Sequence, residues 1–307
     1  MINVNTKSIY VIADLISASI LIEALAPNKI STVSNLKGVK DLNINQFIYT
    51  SLTLKKHYVE MLIKFLKSSK LELGRNLRNI ISDLMAHPYI KTNTSLGFLI
   101  LTIPLTFMTA LMLRDGKPIQ SPVDLVKTYS PYLIKELKDE DPVDFYEALK
   151  KASIKHLGKY VGRIPSVTIN DYSNLSKLTL WDVFLNSSYT DMVTYELING
   201  YRKTLEAYER IAELSPVEDF YEVLRDVHTY MLSKYLDTLI VKARNLSTAV
   251  FFKSIASKWS FFNASEKEEL DLWVRRQGVN PGSTSDIVAT AVAMYKVFEY
   301  VGKGCFR

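Results

Sequence analysis

LGFLILTIPLTFMTALML, Leu96 to Leu113, contains eighteen consecutive uncharged residues, about the minimum for a membrane span. Two readings compete for it: a lone transmembrane helix, or the buried central helix of a bundle. Pro104 and three threonines, Thr102, Thr106 and Thr109, sit inside it, and amphipathic segments flank it. Those features favour the bundle, where a helix apolar on all sides finds protein neighbours. Thr92-Asn93-Thr94-Ser95 just upstream supplies side chains able to accept from the orphan N–H groups of a helix start, and Arg114-Asp115-Gly116 terminates it.

Working outward, Tyr10 to Ala26 reads as a largely apolar helix ended by Ala26-Pro27. Asn45 to Lys67 and Leu73 to Met85 carry apolar residues at helical spacing, interrupted at Ser68-Ser69. Downstream, Pro122 to Leu137 and Pro142 to His156 each open with a proline, and a loop is expected from Gly162 to Lys177. Further helices are expected at Leu178 to Leu185, at Tyr189 to Leu214 with Thr190 as N-cap, and from Pro216 through Tyr235 to about Asn245. Ser247 to Lys258, Glu266 to Arg276 and Ser283 to Val301 complete the set. With 11 Gly and 10 Pro in 307 residues and 48% apolar residues, the class is all-α. The expectation is a single domain over residues 1–307, a multi-helix bundle around a buried apolar central helix.

The net charge of +6 favours anionic ligands without choosing among them. Its Lys and Arg are dispersed among acids, which argues against nucleic acid as the partner. A lone cysteine, Cys305, excludes an intrachain disulfide and suits a reducing compartment, so a cytoplasmic location is expected. Met1 to Lys7 show no signal-peptide pattern.

The sharpest chemical signal is Asn280-Pro281-Gly282-Ser283-Thr284-Ser285-Asp286. Pro281 and Gly282 suit a turn with positive φ at the glycine, leading into a helix with Ser283 near the N-cap and Asp286 placed as in a capping box. A capped helix explains the string as structure alone. As a site, its N–H groups and hydroxyls favour a phosphate, which shares the helix start with Asp286 only when a cation such as Mg²⁺ lies between them. Asp237-Thr238, read as lying inside a helix, is a second candidate, since a carboxylate on an apolar run needs water, a cation or a metal. Asp182, Asp191 and Glu196 form a further acidic set. His57, His87, His156 and His228 lack metal-ligand spacing, and no Gly-rich phosphate loop is present.

Together these strings resemble the triphosphoribosyl-dephospho-CoA synthase family, all-α proteins with many archaeal members. VNPGSTSDIVATAVAMY, Val279 to Tyr295, resembles its terminal Asn-Pro-Gly-Thr-Thr-Ala-Asp signature. Asp237-Thr238-Leu239-Ile240 resembles its Asp-Thr motif, and Thr92 to Gly97 its Thr-Asn-Thr-Asn-Leu-Gly motif. Asp182-Val183, Asp191, Val193 and Glu196 follow the pattern too, so the resemblance runs from about Tyr10 to Glu299. One motif departs. Where the family has Glu-Ala-x-x-Pro-Lys-Pro-Gly-Asn-Val, this chain reads Glu23-Ala24-Leu25-Ala26-Pro27-Asn28-Lys29-Ile30-Ser31-Thr32, and the usual His-Asp appears as Lys37-Gly38. A lysine beside a glycine turn grips phosphate naturally, whereas Ile30 takes positive φ only at a cost, leaving Lys29 as the substitute.

The resemblance implies transfer of the triphosphoribosyl part of ATP to the ribose 2′-hydroxyl of 3′-dephospho-CoA, with adenine leaving. Such an oxocarbenium-like reaction calls for carboxylates and a triphosphate-holding Mg²⁺. It implies Asp286 and Asp237 as metal or triphosphate ligands, with Glu23, Asp191 and Asp237 as the catalytic set. Lys29, Thr92, Asn93, Thr94, Gly97, Thr238, Asn280, Gly282, Ser283 and Thr284 are implied as the nucleotide- and phosphate-binding set. The partners are then small-molecule nucleotides, with ATP as substrate. The competing readings are a non-catalytic module binding ATP or a CoA-like nucleotide, and a membrane or scaffold protein built on Leu96 to Leu113.

Overall fold

The computed structural model describes residues 5–117, 119–152, 165 and 175–303. Fourteen α-helices and no strand occur among them: α1 (Thr6–Leu25), α2 (Ile44–Ser68), α3 (Leu73–Ala86), α4 (Leu96–Asp115), α5 (Pro122–Asp139), α6 (Val143–Lys151), α7 (Leu180–Ser187), α8 (Met192–Ile198), α9 (Arg202–Leu214), α10 (Phe220–Lys234), α11 (Thr238–Ala243), α12 (Leu246–Ser257), α13 (Ala264–Arg276) and α14 (Gly282–Gly302). The expected all-α bundle is what forms. Most of the expected loop from Gly162 to Lys177 lies outside the described residues, as do His156 and Cys305.

Helix α4 is the central element. Sixteen of its twenty residues are buried, from Phe98 to Leu113, and it packs against α2, α5, α8 and α14. Both α4 and α1 are long and apolar enough to cross a membrane, but 94% of the apolar window of α4 is enclosed by protein. Its threonines return their hydroxyls to the helix: Thr102 donates to the Phe98 carbonyl, Thr106 to that of Thr102 and Thr109 to that of Leu105, at 2.7–2.8 Å. These bonds let polar residues sit in an apolar interior without orphaned groups. Helix α1 lies against α2 and α14. A smaller core, including Ile30, Ile240, Phe252, Trp259 and Val274, forms between α10, α11, α12 and α13.

Two long helices expected from periodicity are each broken. Tyr189 to Leu214 divides into α8 and α9 because Gly200 and Tyr201 take positive φ, +67° and +60°, and the Tyr201 N–H donates to the Glu196 carbonyl at 2.7 Å. That six-residue closure is a helix stop. Asp191, not Thr190, is the N-cap of α8, accepting from the Thr194 N–H at 2.8 Å. The segment from Pro216 to Asn245 likewise starts only at Phe220, with Asp219 as cap, and breaks at Tyr235 before α11.

Candidate active site

Asp237 is therefore not inside a helix but starts one. Its Oδ1 accepts from the Ile240 N–H at 3.0 Å, capping α11. Its Oδ2 accepts from the Thr284 N–H and the Thr284 hydroxyl, both at 2.8 Å, capping α14 as well. One carboxylate thus ties two helix starts together, which the dipole of each favours. Burial still outweighs these bonds and lifts its pKa to about 6.

Asp286 also does other than expected. Pro281 is the N-cap of α14 and no side chain closes a capping box there. Gly282 has no positive φ. A Cβ at Gly282 would lie 2.6 Å from Leu239 Cδ2, so the glycine gives the Leu239 side chain of α11 its room rather than making a turn. One turn into α14, the Asp286 carboxylate reaches the neighbouring helix start and accepts from the Phe98 backbone N–H of α4. Gly97 lies against it, since any Cβ there would run into Asp286 Oδ2. Enclosure raises the Asp286 pKa well above the carboxylate range, and the negative charges of Glu23, Asp237 and Asp191 raise it further.

These helix starts wall a cleft of about 230 Å³. Thr92, Asn93, Gly97, Asp191, Asn280, Ser283 and Asp286 line it, with Lys40, Asp41 and Lys242 as further charged groups. Asp191 caps α8 with one oxygen and pairs with Lys242 through the other. Asn93 Oδ1 accepts from the Ser95 and Leu96 N–H groups at 3.1 Å, satisfying the start of α4 as Thr92 to Ser95 promised. A second chamber of about 90 Å³ shares Asn93, Leu96, Asn280 and Asp286 and reaches inward to Glu23, Thr94, Gly282 and Ser285. Ser95, 1% exposed, lines this chamber with a buried hydroxyl that has no protein partner.

Glu23 is held from behind. Lys29 Nζ lies 2.6 Å from both Glu23 Oε1 and the Glu23 carbonyl, and no part of Lys29 is exposed. The expected phosphate grip by Lys29 is thus replaced by a buried ion pair. Asn28 and Ser31 take the positive φ, +55° and +53°, so Ile30 is spared it and packs in the smaller core. Ser285 donates to Glu23 and sits 3.1 Å from Thr32 Oγ1 and 3.2 Å from His228 Nε2. Burial raises the Glu23 pKa, an effect that Lys29 and Ser285 oppose. His228, wholly enclosed and beside Lys29, is held well below the usual imidazole range.

Of the expected residues, Glu23, Thr92, Asn93, Thr94, Gly97, Asp191, Asn280, Gly282, Ser283 and Asp286 thus wall one connected space. Asp237, Thr238, Thr284 and Lys29 stand behind it. Thr238 Oγ1 accepts from the Met192 N–H at 3.0 Å, fastening α8 to α11. Lys40, Lys242, Ser285 and His228 were not singled out for the site. His228 carries no local pattern and Lys40 precedes α2 in a stretch without periodicity, whereas Ser285 lay inside the Asn280 to Asp286 string and Lys242 follows Asp237 by little more than a turn.

No curated protein matches the chain. A solved structure from Archaeoglobus fulgidus, provisionally assigned as a triphosphoribosyl-dephospho-CoA synthase, has a similar fold: TM-score 0.56, covering 80% of this chain and 96% of that one at 14% identity. The family model described as CitG, ATP:dephospho-CoA triphosphoribosyl transferase, matches residues 10–304, nearly the whole chain. The protein belongs to that transferase family.

Proposed function

We propose that the chain transfers the triphosphoribosyl part of ATP to the ribose 2′-hydroxyl of 3′-dephospho-CoA. In this reaction the acceptor oxygen bonds to C1′ of the ATP ribose, the C1′–N9 bond breaks, and adenine leaves with the electron pair. The hydroxyl proton passes to a carboxylate, for which Glu23 is assigned: it lines the inner chamber and its raised pKa favours taking a proton. Asp191 and Asp286 face the cleft where positive charge develops on the sugar. Lys242, which also pairs with Asp191, replaces Lys29 as the cation at the triphosphate.

Among the described residues no three His, Cys, Asp or Glu side chains are arranged to hold a metal. That donor set still fits Mg²⁺, which binds through one or two carboxylates plus substrate phosphates. Asp286 and Asp191 would hold it, and it would neutralise triphosphate charge. Asp237, with both oxygens on helix starts, is assigned to the scaffold.

The observation that carries the reading is the convergence of the family-like motifs, distant in sequence, on one cleft with Asp286 at its centre. The test is free adenine released from ATP, Mg²⁺ and 3′-dephospho-CoA, beside Asp286→Ala. Acceptor-dependent adenine that disappears in the variant is the expected result. ATP binding without adenine would instead make the protein a nucleotide-binding module.

A further inference from the structure

Lys40 is one of the residues that line the cleft. Ala243 and Asn280 line it, while the adjoining residues Arg244 and Val279 line a groove on the outer side of the same two segments. That groove holds Phe251, Phe252 and Trp273, and Phe251 and Trp273 also line a neighbouring groove with Ile255, Phe262 and Leu270. Phe251 and Trp273 meet edge to face, ring centroids 5.8 Å apart, yet are 45% and 48% exposed. Aromatic rings so exposed, side by side in a groove, are a surface that gains from being covered.

At the junction of cleft and groove two cations converge. Gly278, with φ +61°, leaves the room: a Cβ there would lie 2.7 Å from Lys40 Cε and 3.1 Å from an Arg244 guanidinium nitrogen. Arg244 donates to the Gln277 carbonyl, and its charge, after burial, helps hold the Lys40 pKa below the lysine range. Like charges brought together at a mouth favour an anion between them.

We propose that this path is an acceptor subsite, with a diphosphate held between Lys40 and Arg244 and a long amide-and-methylene arm laid along Phe251 and Trp273. The proposal rests on the transferase reading, because 3′-dephospho-CoA has that sequence of groups: a nucleoside, a diphosphate, then a pantetheine arm. Charge and apolarity follow one another along the path in the same order as along the ligand. It also assigns the ATP to the inner cleft, at Lys242 and Asp286, so that the two nucleotides enter from different sides.

The experiment is calorimetric titration of the full chain with 3′-dephospho-CoA and with ADP, which keeps the diphosphate and lacks the arm. The full chain is expected to prefer 3′-dephospho-CoA by about tenfold, as burial of a few methylene groups implies. Trp273→Ala and Phe251→Ser should bring that ratio towards one, and Arg244→Ser should weaken both ligands. Both aromatic positions are half-exposed, and thermal melts will show that the variants fold. A ratio of one in the unaltered chain, or a ratio that neither aromatic variant changes, overturns the subsite. So does a dimer that Trp273→Ala dissociates without changing the ratio, which would give the groove to a second copy. Failure of the transferase reading appears separately, as absence of adenine release while the arm-dependent affinity persists.

Discussion

Lys29 shows how one residue can keep its chemistry and change its use. With Nζ bonded to both oxygens offered by Glu23 and no exposure, it neutralises a carboxylate rather than a ligand. Removing one partner of a buried pair leaves an uncompensated charge, at a cost of about 3–5 kcal/mol. Lys29→Met should therefore destabilise the fold by roughly that amount in urea unfolding, and Glu23→Gln in the same chain should restore most of it. A double-variant loss equal to the sum of the two single-variant losses would show the pair to be uncoupled. Gly97 makes a second case. Gly97→Ala would press on Asp286 Oδ2 and on Val193 Cγ2, 3.1 Å away, so it should cost about 1–3 kcal/mol and move the carboxylate off the Phe98 N–H. Acceptor-dependent adenine release is expected to fall by more than the stability loss explains; release at the unaltered rate would mean Asp286 need not sit where α4 places it.

Among the elements, helix identity was legible and helix interruption was not. The apolar periods of α2 and α14, the unbroken uncharged run of α4 and the proline opening α5 were enough to locate those helices. The breaks at Gly200-Tyr201 and at Tyr235 depend on carboxylates whose partners lie on another element or in the next helix, and a period carries no trace of them. Glu196, 0% exposed, accepts from the Thr204 N–H at 2.7 Å, the Thr204 hydroxyl at 2.9 Å and the Lys203 N–H at 3.2 Å, so it starts α9 from within α8. Asp286 misled for the same reason: its spacing from Ser283 suits a local cap, whereas its partner is the start of α4. Motif positions along the chain named most of the cleft, but Lys29 turned inward because only the folded loop brings it to Glu23. Glu196→Leu should uncap α9 and leave buried Thr204 unpaired, a loss of about 2–4 kcal/mol in chemical unfolding. Hydrogen exchange should localise the change to Arg202–Leu214, and protection spread evenly over the molecule would contradict it.

At the scale of the whole molecule, Glu140 fastens elements far from the cleft. Its carboxylate accepts from the Leu73 and Gly74 N–H groups at 2.9 and 2.6 Å, and its carbonyl accepts from the Leu180 N–H at 2.8 Å. Thus α3, the end of α5 and α7 meet at one residue. Burial, with the charges of Glu72 and Asp144 behind it, lifts the carboxyl to about 7 against an ordinary 4.5. A raised acid binds its proton more tightly folded than unfolded, so its stabilising contribution is full below about pH 4.5 and is lost as pH rises through 7. The loss is of order 3 kcal/mol at most. Glu140→Gln keeps the shape, gives up one acceptor and does not titrate. Comparing the two chains cancels the titrating groups not coupled to Glu140, so the melting-temperature advantage of the unaltered chain should be larger at pH 5 than at pH 8. An advantage that is the same at both pH values would mean that the ionised carboxylate is as well accommodated as the neutral one. The two backbone N–H groups would then fully offset its burial.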